Sequence, residues 1–198
     1  MSFPGVIELL VIGATLTIAA WATGAQAHRK STSSRSLERY ARSRGLVFVP
    51  APPARPRASP QVVGARDDIR WMVELYRLSG EMRTRVSAVR ARGRAPVLSV
   101  LQRGAFTIGD GTCSIDDARL DASYVVREGT AGDLEALRAA ASSLVFLDER
   151  RKGVWVASDG TKVTVSWRGL ESDPLVLDAA RDAAILVADW HRSETPYR

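Results

Sequence analysis

The stretch Gly153–Trp167, GVWVASDGTKVTVSW, shows most clearly how this chain folds. Apolar residues alternate with small or polar ones on both sides of Asp159-Gly160, and this alternation is typical of half-buried strands. Asp-Gly between two such runs favours a two-residue type I′ turn. The pattern therefore predicts an antiparallel hairpin in which Val156 pairs with Val163 on the apolar face.

Helices are predicted on both sides of this hairpin. Upstream, Thr130 and Asp133 have the spacing of a capping box, after a predicted strand at Ser123–Arg127. One side of that helix carries Leu134, Leu137, Ala141 and Leu144. Downstream, Asp173-Pro174 joins an N-cap residue to proline at the first helical position. The last helix should reach about Trp190 and bury Val176, Ala180, Ala183, Val187 and Trp190.

The region before these elements alternates in the same way. Strands are predicted at Ile69–Leu75, at Met82–Ala88 and at Val97–Gln102, separated by turns at Ser79-Gly80 and Arg92-Gly93. Consecutive strands with short turns indicate an antiparallel β-meander. The predicted fold class is α+β: an N-terminal transmembrane helix, the meander, and then a strand-helix-hairpin-helix unit.

A short linking region precedes the meander. Ser36 is the predicted N-cap of a helix that ends at Gly45. A strand at Leu46–Val49 follows, and Pro50–Pro60 is too rich in proline for either helix or sheet. Residues 28–60 are thus expected to form a juxtamembrane tether, a short helix and a Pro-rich loop, and residues 61–198 a soluble α+β module.

An uncharged apolar run, Leu9–Ala27, lies ahead of this region. A membrane-spanning helix needs about 20 such residues, so residues 1–27 are predicted to be a transmembrane anchor that contacts the lipid bilayer through residues 5–27. Arginine and lysine are frequent directly after the run and absent before it. Since basic residues tend to stay on the cytoplasmic side, the prediction is a single-pass protein, N-out and C-in, with a cytoplasmic module.

A cleaved signal peptide is the alternative interpretation of the same segment. Ala25-Gln26-Ala27 matches the small-x-small cleavage pattern, which would release an exported domain. Glu8 and the absence of basic residues before the apolar run argue against it, because export signals begin with positive charge.

Charge is divided unevenly along the chain of 198 residues, whose formal net charge is +6. Residues 28–103 hold 17 Arg or Lys against 5 Asp or Glu, and residues 104–198 hold 11 against 16. Anionic headgroups attract basic residues near a membrane. The basic juxtamembrane region is therefore expected to contact anionic lipid, and no nucleic acid partner is expected.

Residues with catalytic chemistry are few and scattered. His28 and His191 are the two histidines, and Cys113 is the one cysteine, so an internal disulfide and a multi-cysteine metal site are excluded. His191 has Asp189 and Ser193 nearby in sequence, but a triad requires convergence from a rigid scaffold.

The carboxylates Asp110, Asp116, Asp117 and Asp121 form the one acidic cluster. They lack the spacing of an EF-hand loop, which favours a solvated turn. The glycines Gly104, Gly109 and Gly111 precede no Gly-Lys-Ser/Thr and do not make a phosphate loop.

Among the tryptophans, Trp21 fits a membrane interface, and the others are expected in the core: Trp71, Trp155, Trp167 and Trp190. No catalytic, cofactor-binding or metal residue is assigned, and no cofactor is expected.

Leu37–Leu46, LERYARSRGL, resembles an "L-x-x-x-A-x-x-R-G-L" segment that follows the N-terminal helix of uncharacterised bacterial membrane-anchored proteins. Asp121–Arg127, DASYVVR, is similar to their "F-D-x-x-F-x-V-x-G" strand, with Leu120 and Tyr124 where those proteins have phenylalanine. The resemblance covers nearly the whole chain. It implies the same order of elements, and it implies no activity, since those families have none established.

Two functional hypotheses follow. The first is a membrane-anchored, non-enzymatic binding or scaffold module with an unknown protein partner, favoured by the scarcity of His and Cys. The second is a membrane-associated enzyme whose site uses Asp, Arg or Ser in an unfamiliar arrangement. The exported domain remains a third.

Overall fold

The computed structural model describes residues 34–52, 58–104 and 113–190. Within these residues, five helices cover one face of an eight-stranded antiparallel sheet. The helices are α1 (residues 34–44), α2 (Ala118–Ser123), α3 (Ala131–Ala139), α4 (Ala141–Arg150) and α5 (Pro174–Asp189). The strands are β1 (Val47–Val49), β2 (Gln61–Arg66), β3 (Ile69–Leu78), β4 (Glu81–Arg90), β5 (Val97–Gln102), β6 (Tyr124–Glu128), β7 (Trp155–Asp159) and β8 (Lys162–Arg168). The predicted α+β class is confirmed.

The strand order is β1-β2-β3-β4-β8-β7-β5-β6, and every neighbouring pair is antiparallel. The meander prediction is correct for β3 and β4 and wrong for β5. The β7–β8 hairpin lies between β4 and β5, so β5 pairs with β7 and β6. The alternation of apolar and polar residues specifies which side chains point inward. It does not specify which strand pairs with the free edge of β4, and side-chain packing selects β8.

Strand β2 was not predicted, and Gly64 explains why. Glycine weakens a strand pattern because it has no side chain to pack. Here Gly64 pairs with Trp71 on β3, and the indole ring of Trp71 occupies the space that a Cβ on residue 64 would need. The glycine makes room for the tryptophan, which is apparent only after the two strands have paired.

The hairpin has the predicted face but a different register. Val156 pairs with Val165, and Ser158 pairs with Val163, so the loop is Gly160-Thr161. Only Gly160 of the loop has positive φ, +88°. The carboxylate of Asp159 accepts hydrogen bonds from the backbone N–H groups of Thr161 and Lys162, at 2.9 and 2.8 Å, which holds Asp159 at the end of β7. Val156, Val163 and Val165 remain on the apolar face because the register shift is two residues.

Two short helices replace the single helix predicted after Thr130. The capping box of Thr130 and Asp133 is present, but α3 ends at Ala139, and the N–H of its C-cap residue Ala140 bonds the carbonyl of Leu137. Both α3 and α4 contact α5, and no proline or glycine marks the bend. Helix α2 was also missed, since six residues are too few to show periodicity.

Helix α5 is the centre of the molecule. Asp173 caps it and Pro174 occupies its first turn, as predicted. It contacts β3, β4 and β8 on one side and α3 and α4 on the other. Four of the five residues predicted to be buried are buried, and Trp190 is half-buried. Because α5 is covered on two sides, it also buries Leu177, Ala184, Ile185 and Ala188.

Helix α1 packs against α5 through the Leu37–Leu46 segment. Gly45, at φ +64°, ends α1 in a Schellman motif: its N–H bonds the carbonyl of Arg42, and the next N–H bonds that of Ala41. Arg44 pairs with Asp178 of α5, which also accepts a hydrogen bond from the hydroxyl of Tyr40 at 3.0 Å. Burial raises the pKa of Tyr40. The predicted N-cap at Ser36 is wrong, because Ser36 lies inside the helix.

The predicted transmembrane segment, residues 1–27, lies outside the described residues. Among the residues that are described, no helix combines the length and the apolar character needed to cross a bilayer. The membrane anchor therefore stays a prediction.

Candidate functional site

The candidate site is the sheet face opposite the helices, termed the open face below. On β3 and β4 the residues of one face pack under α5, among them Trp71, Val73 and Val86, and their neighbours along each strand form the open face. The register extends this assignment to the other strands. No described helix contacts this face. Most of its side chains are exposed or half-buried, but Arg83, Ser87 and Ser166 on β4 and β8 are buried.

Apolar side chains are concentrated on the open face. Five of the seven exposed large apolar residues in the described part of the chain lie there: Val47, Val49, Leu78, Val89 and Val97. Half-buried apolar residues lie beside them on the strands flanking β4 and β8, namely Val63, Met72, Leu101, Val125 and Trp155. On β4 and β8 the open face is mostly polar, with Arg85, Ser87 and Thr164 between the two apolar groups. Clustered apolar side chains of this kind mark an interaction site more often than single exposed residues do.

The open face is also basic. Strands β3, β4 and β8 place five basic residues on it, against two glutamates. The basic residues are Arg70, Arg83, Arg85, Lys162 and Arg168, and the acidic ones are Glu74 and Glu81. On the opposite side, the five helices α1–α5 contain nine Asp or Glu and eight Arg. The basic excess on β3, β4 and β8 thus contrasts with a helical side whose charges nearly balance.

One ordered group of side chains lies near the middle of the open face. Arg85 forms an ion pair with Glu74 on the neighbouring strand, and its guanidinium stacks 4.5 Å from the ring centroid of Tyr76. Trp155, expected in the core, is half-buried here instead, and its indole N–H donates to the hydroxyl of Ser99 at 3.1 Å. Aromatic and arginine side chains of this kind are the residues that binding surfaces favour.

The acidic cluster builds a turn and a helix cap. Asp117 caps α2 by accepting from the N–H groups of Arg119 and Leu120. Asp121 accepts from the Ser114 hydroxyl at 2.7 Å and from the N–H of Ile115 at 2.8 Å. Burial raises the pKa of Asp121, but these hydrogen bonds outweigh it and hold the pKa below its usual value.

Asp116 is exposed beside these two residues, and Asp110 lies outside the described residues. Within residues 34–52, 58–104 and 113–190, no three His, Cys, Asp or Glu side chains come together in a way that could hold a metal ion. The solvated turn predicted for this cluster describes Asp116, whereas Asp117 is the N-cap of α2 and Asp121 lies half-buried within that helix.

The structure brings together none of the other candidate residues that it describes. His28, His191, Gly109, Gly111 and Trp21 lie outside the described residues. Cys113 is exposed, Gly104 follows the end of β5, and Trp71 and Trp167 are buried under the helices, as expected for core residues. Sequence reasoning missed the open face because it appears only when β1–β8 are assembled in their actual order.

No protein-family model matches the chain, and no curated protein matches it. Among solved structures, the chain shows a distant likeness to the mycobacterial trehalose monomycolate transport factor A, TtfA. The two chains are 13% identical, with a TM-score of 0.48, over 79% of this chain and 93% of that one. A likeness at this level supports no conclusion about function.

Proposed function

We propose that this protein is a membrane-anchored, non-enzymatic binding module whose open face binds a protein partner. The observation that supports this most directly is the concentration of exposed apolar side chains on a sheet face that no described helix contacts. Interfaces commonly place such residues at their centre and polar residues at their rim. The basic residues around them favour a partner with an acidic rim.

The anchor would keep the module next to the bilayer. If residues 5–27 span the membrane, only residues 28–33 separate the anchor segment 1–27 from α1. Six residues reach at most about 20 Å when fully extended. The module would then meet partners that are themselves in the membrane or directly beside it, which is the arrangement expected of a scaffold.

Labelling of Cys113 tests the anchored, N-out topology. This thiol is exposed, so a membrane-impermeant maleimide should reach it whenever the reagent reaches its compartment. Labelling only after lysis, at the full-length mass, is the expected result, and the Cys113→Ser variant controls for specificity. Labelling of intact cells, or a mass shortened by residues 1–27, would overturn the cytoplasmic anchored module and direct the work to an exported domain.

Site-specific photo-crosslinking tests the open face. A photoreactive amino acid replaces Val89 or Val97, each 43% exposed on the open face, or Leu175, 57% exposed on the helical side as the matched control. The expected result is a discrete adduct of the same mass from positions 89 and 97 and none from position 175. The same adduct from all three positions, or from position 175 alone, would contradict the proposed surface.

A second test separates the surface from the fold. Val97→Glu places a carboxylate within the apolar surface and should abolish the adduct formed from position 89, while Leu175→Glu should preserve it. Circular dichroism of each variant shows whether the fold persists. An adduct that survives Val97→Glu in a folded protein would argue against the open face as the binding surface.

Contact with anionic lipid is a second candidate, favoured by the excess of basic residues on the open face and in residues 28–60. The prediction is that the fragment from residue 34 onward binds vesicles containing phosphatidylglycerol, and that salt weakens this binding because it screens exposed charges. Equal binding to phosphatidylcholine vesicles would remove the electrostatic part of this candidate.

A further inference from the structure

A shallow cleft of about 330 Å³ opens at one end of the open face, where β5 and β8 end and β7 begins. Its walls are formed by Gln102, Arg103, Gly104, Lys152, Gly153 and Arg168. The side chain of Arg168 passes over Gly153, within 3.4 Å of the position that a Cβ there would take. This is an ordinary van der Waals distance, and what favours glycine at residue 153 is its φ of +68°.

Arg83 lies directly beside this cleft and is buried. It pairs with Arg168 across β4 and β8, and its Nη2 donates to the carbonyl of Gly153 at 3.1 Å. The residue is only 5% exposed, and its Nε has no hydrogen-bond partner among the described residues. None of the ion pairs in the described part of the chain includes it.

A buried guanidinium without a carboxylate partner is unusual, because burying a charge is costly unless the charge is paired. Three cations line the cleft itself: Arg103, Lys152 and Arg168. Arg83 is a fourth cation at this end of the open face, adjoining the cleft through its hydrogen bond to Gly153.

Two carboxylates lie near these cations. Glu81 is 3.4 Å from Arg168, and both side chains are about half exposed. Asp148 accepts from the Gln102 amide at 2.6 Å and from the Ser123 hydroxyl at 2.8 Å. Among the described residues, these two carboxylates do not balance the four cations. Neither carboxylate is within ion-pair distance of Arg83, which leaves its charge without compensation from the described residues.

We propose that the cleft binds a phosphate group, and that Arg83, Arg168 and Lys152 neutralise it. Guanidinium groups match tetrahedral oxyanions with several N–H donors, and lysine adds a mobile point charge. The cleft exceeds the size of a phosphate group, so the phosphate is the head of a larger ligand, either a soluble phosphate ester or a lipid headgroup. This inference is independent of the proposed protein-binding surface.

The first experiment measures binding of inorganic phosphate to the full-length chain in maltoside micelles, which carry no phosphate, by calorimetry and by the shift of the melting temperature. Chloride at equal ionic strength is the reference. Phosphate should bind and raise the melting temperature, because a ligand that binds only the folded state stabilises it. Equal melting temperatures in phosphate and chloride, without measurable binding, would overturn the proposal.

Variants assign the binding to the cleft. Arg83→Met should weaken phosphate binding by about tenfold or more, since hydrogen bonds to charged groups are strong. It should stay folded, because replacing a buried charge by an apolar residue is often neutral. Lys152→Met and Arg168→Met change exposed side chains and should each weaken binding to a smaller degree.

The matched control is Lys162→Met. Lys162 begins β8 on the same face, six residues and thus about 20 Å from Arg168. If Lys162→Met reduces phosphate binding as much as Lys152→Met does, the binding is non-specific and the cleft is not the site. If Arg83→Met fails to fold, unchanged binding in the Lys152→Met and Arg168→Met double variant would equally refute the proposal.

A second arm distinguishes the two sources of phosphate. The wild-type chain is compared in maltoside micelles and in nanodiscs of phosphatidylglycerol. A lipid headgroup as the natural ligand would occupy the cleft and lower the apparent affinity for inorganic phosphate in the nanodiscs. A soluble phosphate ester as the natural ligand would leave that affinity unchanged. The comparison reports on the cleft only if Arg83→Met also removes the phosphate binding seen in micelles.

Discussion

Replacing Glu171 by glutamine should reveal a network that holds β8, α4 and α5 together. Glu171 is 4% exposed, in the short connection from β8 to α5. One carboxylate oxygen accepts from Nε of Arg151 and from the indole N–H of Trp167. The other accepts from Nη2 of Arg151 and from the backbone N–H groups of Ser172 and Asp173.

Glutamine keeps the shape of this side chain but not its acceptors. One orientation of its amide directs an NH₂ group at Arg151 and Trp167, and the other directs it at the two backbone N–H groups. Either way, at least two donors that are now bonded would face another donor. Each buried donor left unsatisfied costs about 1–3 kcal/mol, so we expect Glu171→Gln to lower the free energy of unfolding by about 3 kcal/mol. For a domain of this size that corresponds to about 6–12 °C in Tm.

The assay is urea unfolding of the fragment from residue 34 onward, followed by circular dichroism and tryptophan fluorescence. Glu149→Gln is the control, since Glu149 is an exposed glutamate of α4 and its replacement should change stability by less than about 0.5 kcal/mol. A loss of less than 1 kcal/mol for Glu171→Gln, or a loss equal to that of the control, would refute the reasoning from acceptor geometry.

A double-mutant cycle assigns the effect to the ion pair with Arg151. If the pair acts as a unit, the combined Arg151→Ala and Glu171→Gln variant should be more stable than the sum of the single losses predicts, by about 1–2 kcal/mol. Additive losses would show that Trp167 and the backbone N–H groups, and not Arg151, account for the role of Glu171.

Two further predictions concern β2 and the hairpin. Gly64→Ala should destabilise the protein by about 1–3 kcal/mol, because the new Cβ would overlap the ring of Trp71; unchanged stability with an unchanged near-ultraviolet tryptophan spectrum would be incompatible with this contact. Thr161→Ala should raise the pKa of Asp159 from about 2 towards its ordinary value of 3.8. The hydrogen bond from the Thr161 hydroxyl lowers this pKa more than any other interaction does. The sign follows from linkage: with its lowered pKa, Asp159 stabilises the folded state above about pH 3.8, and this stabilisation is lost as the pH falls towards 2. NMR titration of the Asp159 carboxyl checks this, and a pKa near 3.8 in the unmodified protein would exclude the proposed hydrogen bonding.

Local chemistry predicted elements that carry their own signals. Asp173-Pro174 predicted the start of α5, Thr130 with Asp133 predicted that of α3, and Gly45 predicted the end of α1. Each signal depends on hydrogen bonds or backbone angles within a few residues, so it can be recognised in the sequence without knowledge of the fold. Elements without such a signal, β2 and the bend at Ala140, were missed because their causes are contacts with Trp71 and with α5.

The candidate site was less predictable than the elements. The residues of the open face are spread from Val47 to Arg168, and nothing in the spacing of Arg83 and Lys152 indicates that they approach one another. A buried arginine also gives no sequence signal, since alternation in β4 identifies a basic face but does not show that Arg83 is covered. The site depends on which strands are neighbours.

The sequence by itself determined the secondary structure of most of the chain, the inward faces of its strands and the caps of α3 and α5. These follow from backbone sterics, local hydrogen bonds and the burial of apolar side chains. Only the tertiary structure decided that the β7–β8 hairpin separates β4 from β5, and that Arg83 lies beside Gly153. The physical reason is that backbone hydrogen bonds between strands are nearly alike in every pairing. Long-range side-chain packing therefore selects the order of the strands. In this protein that packing involves Trp71 and Trp167 of the sheet and helix α5, which lies between the sheet and the other helices.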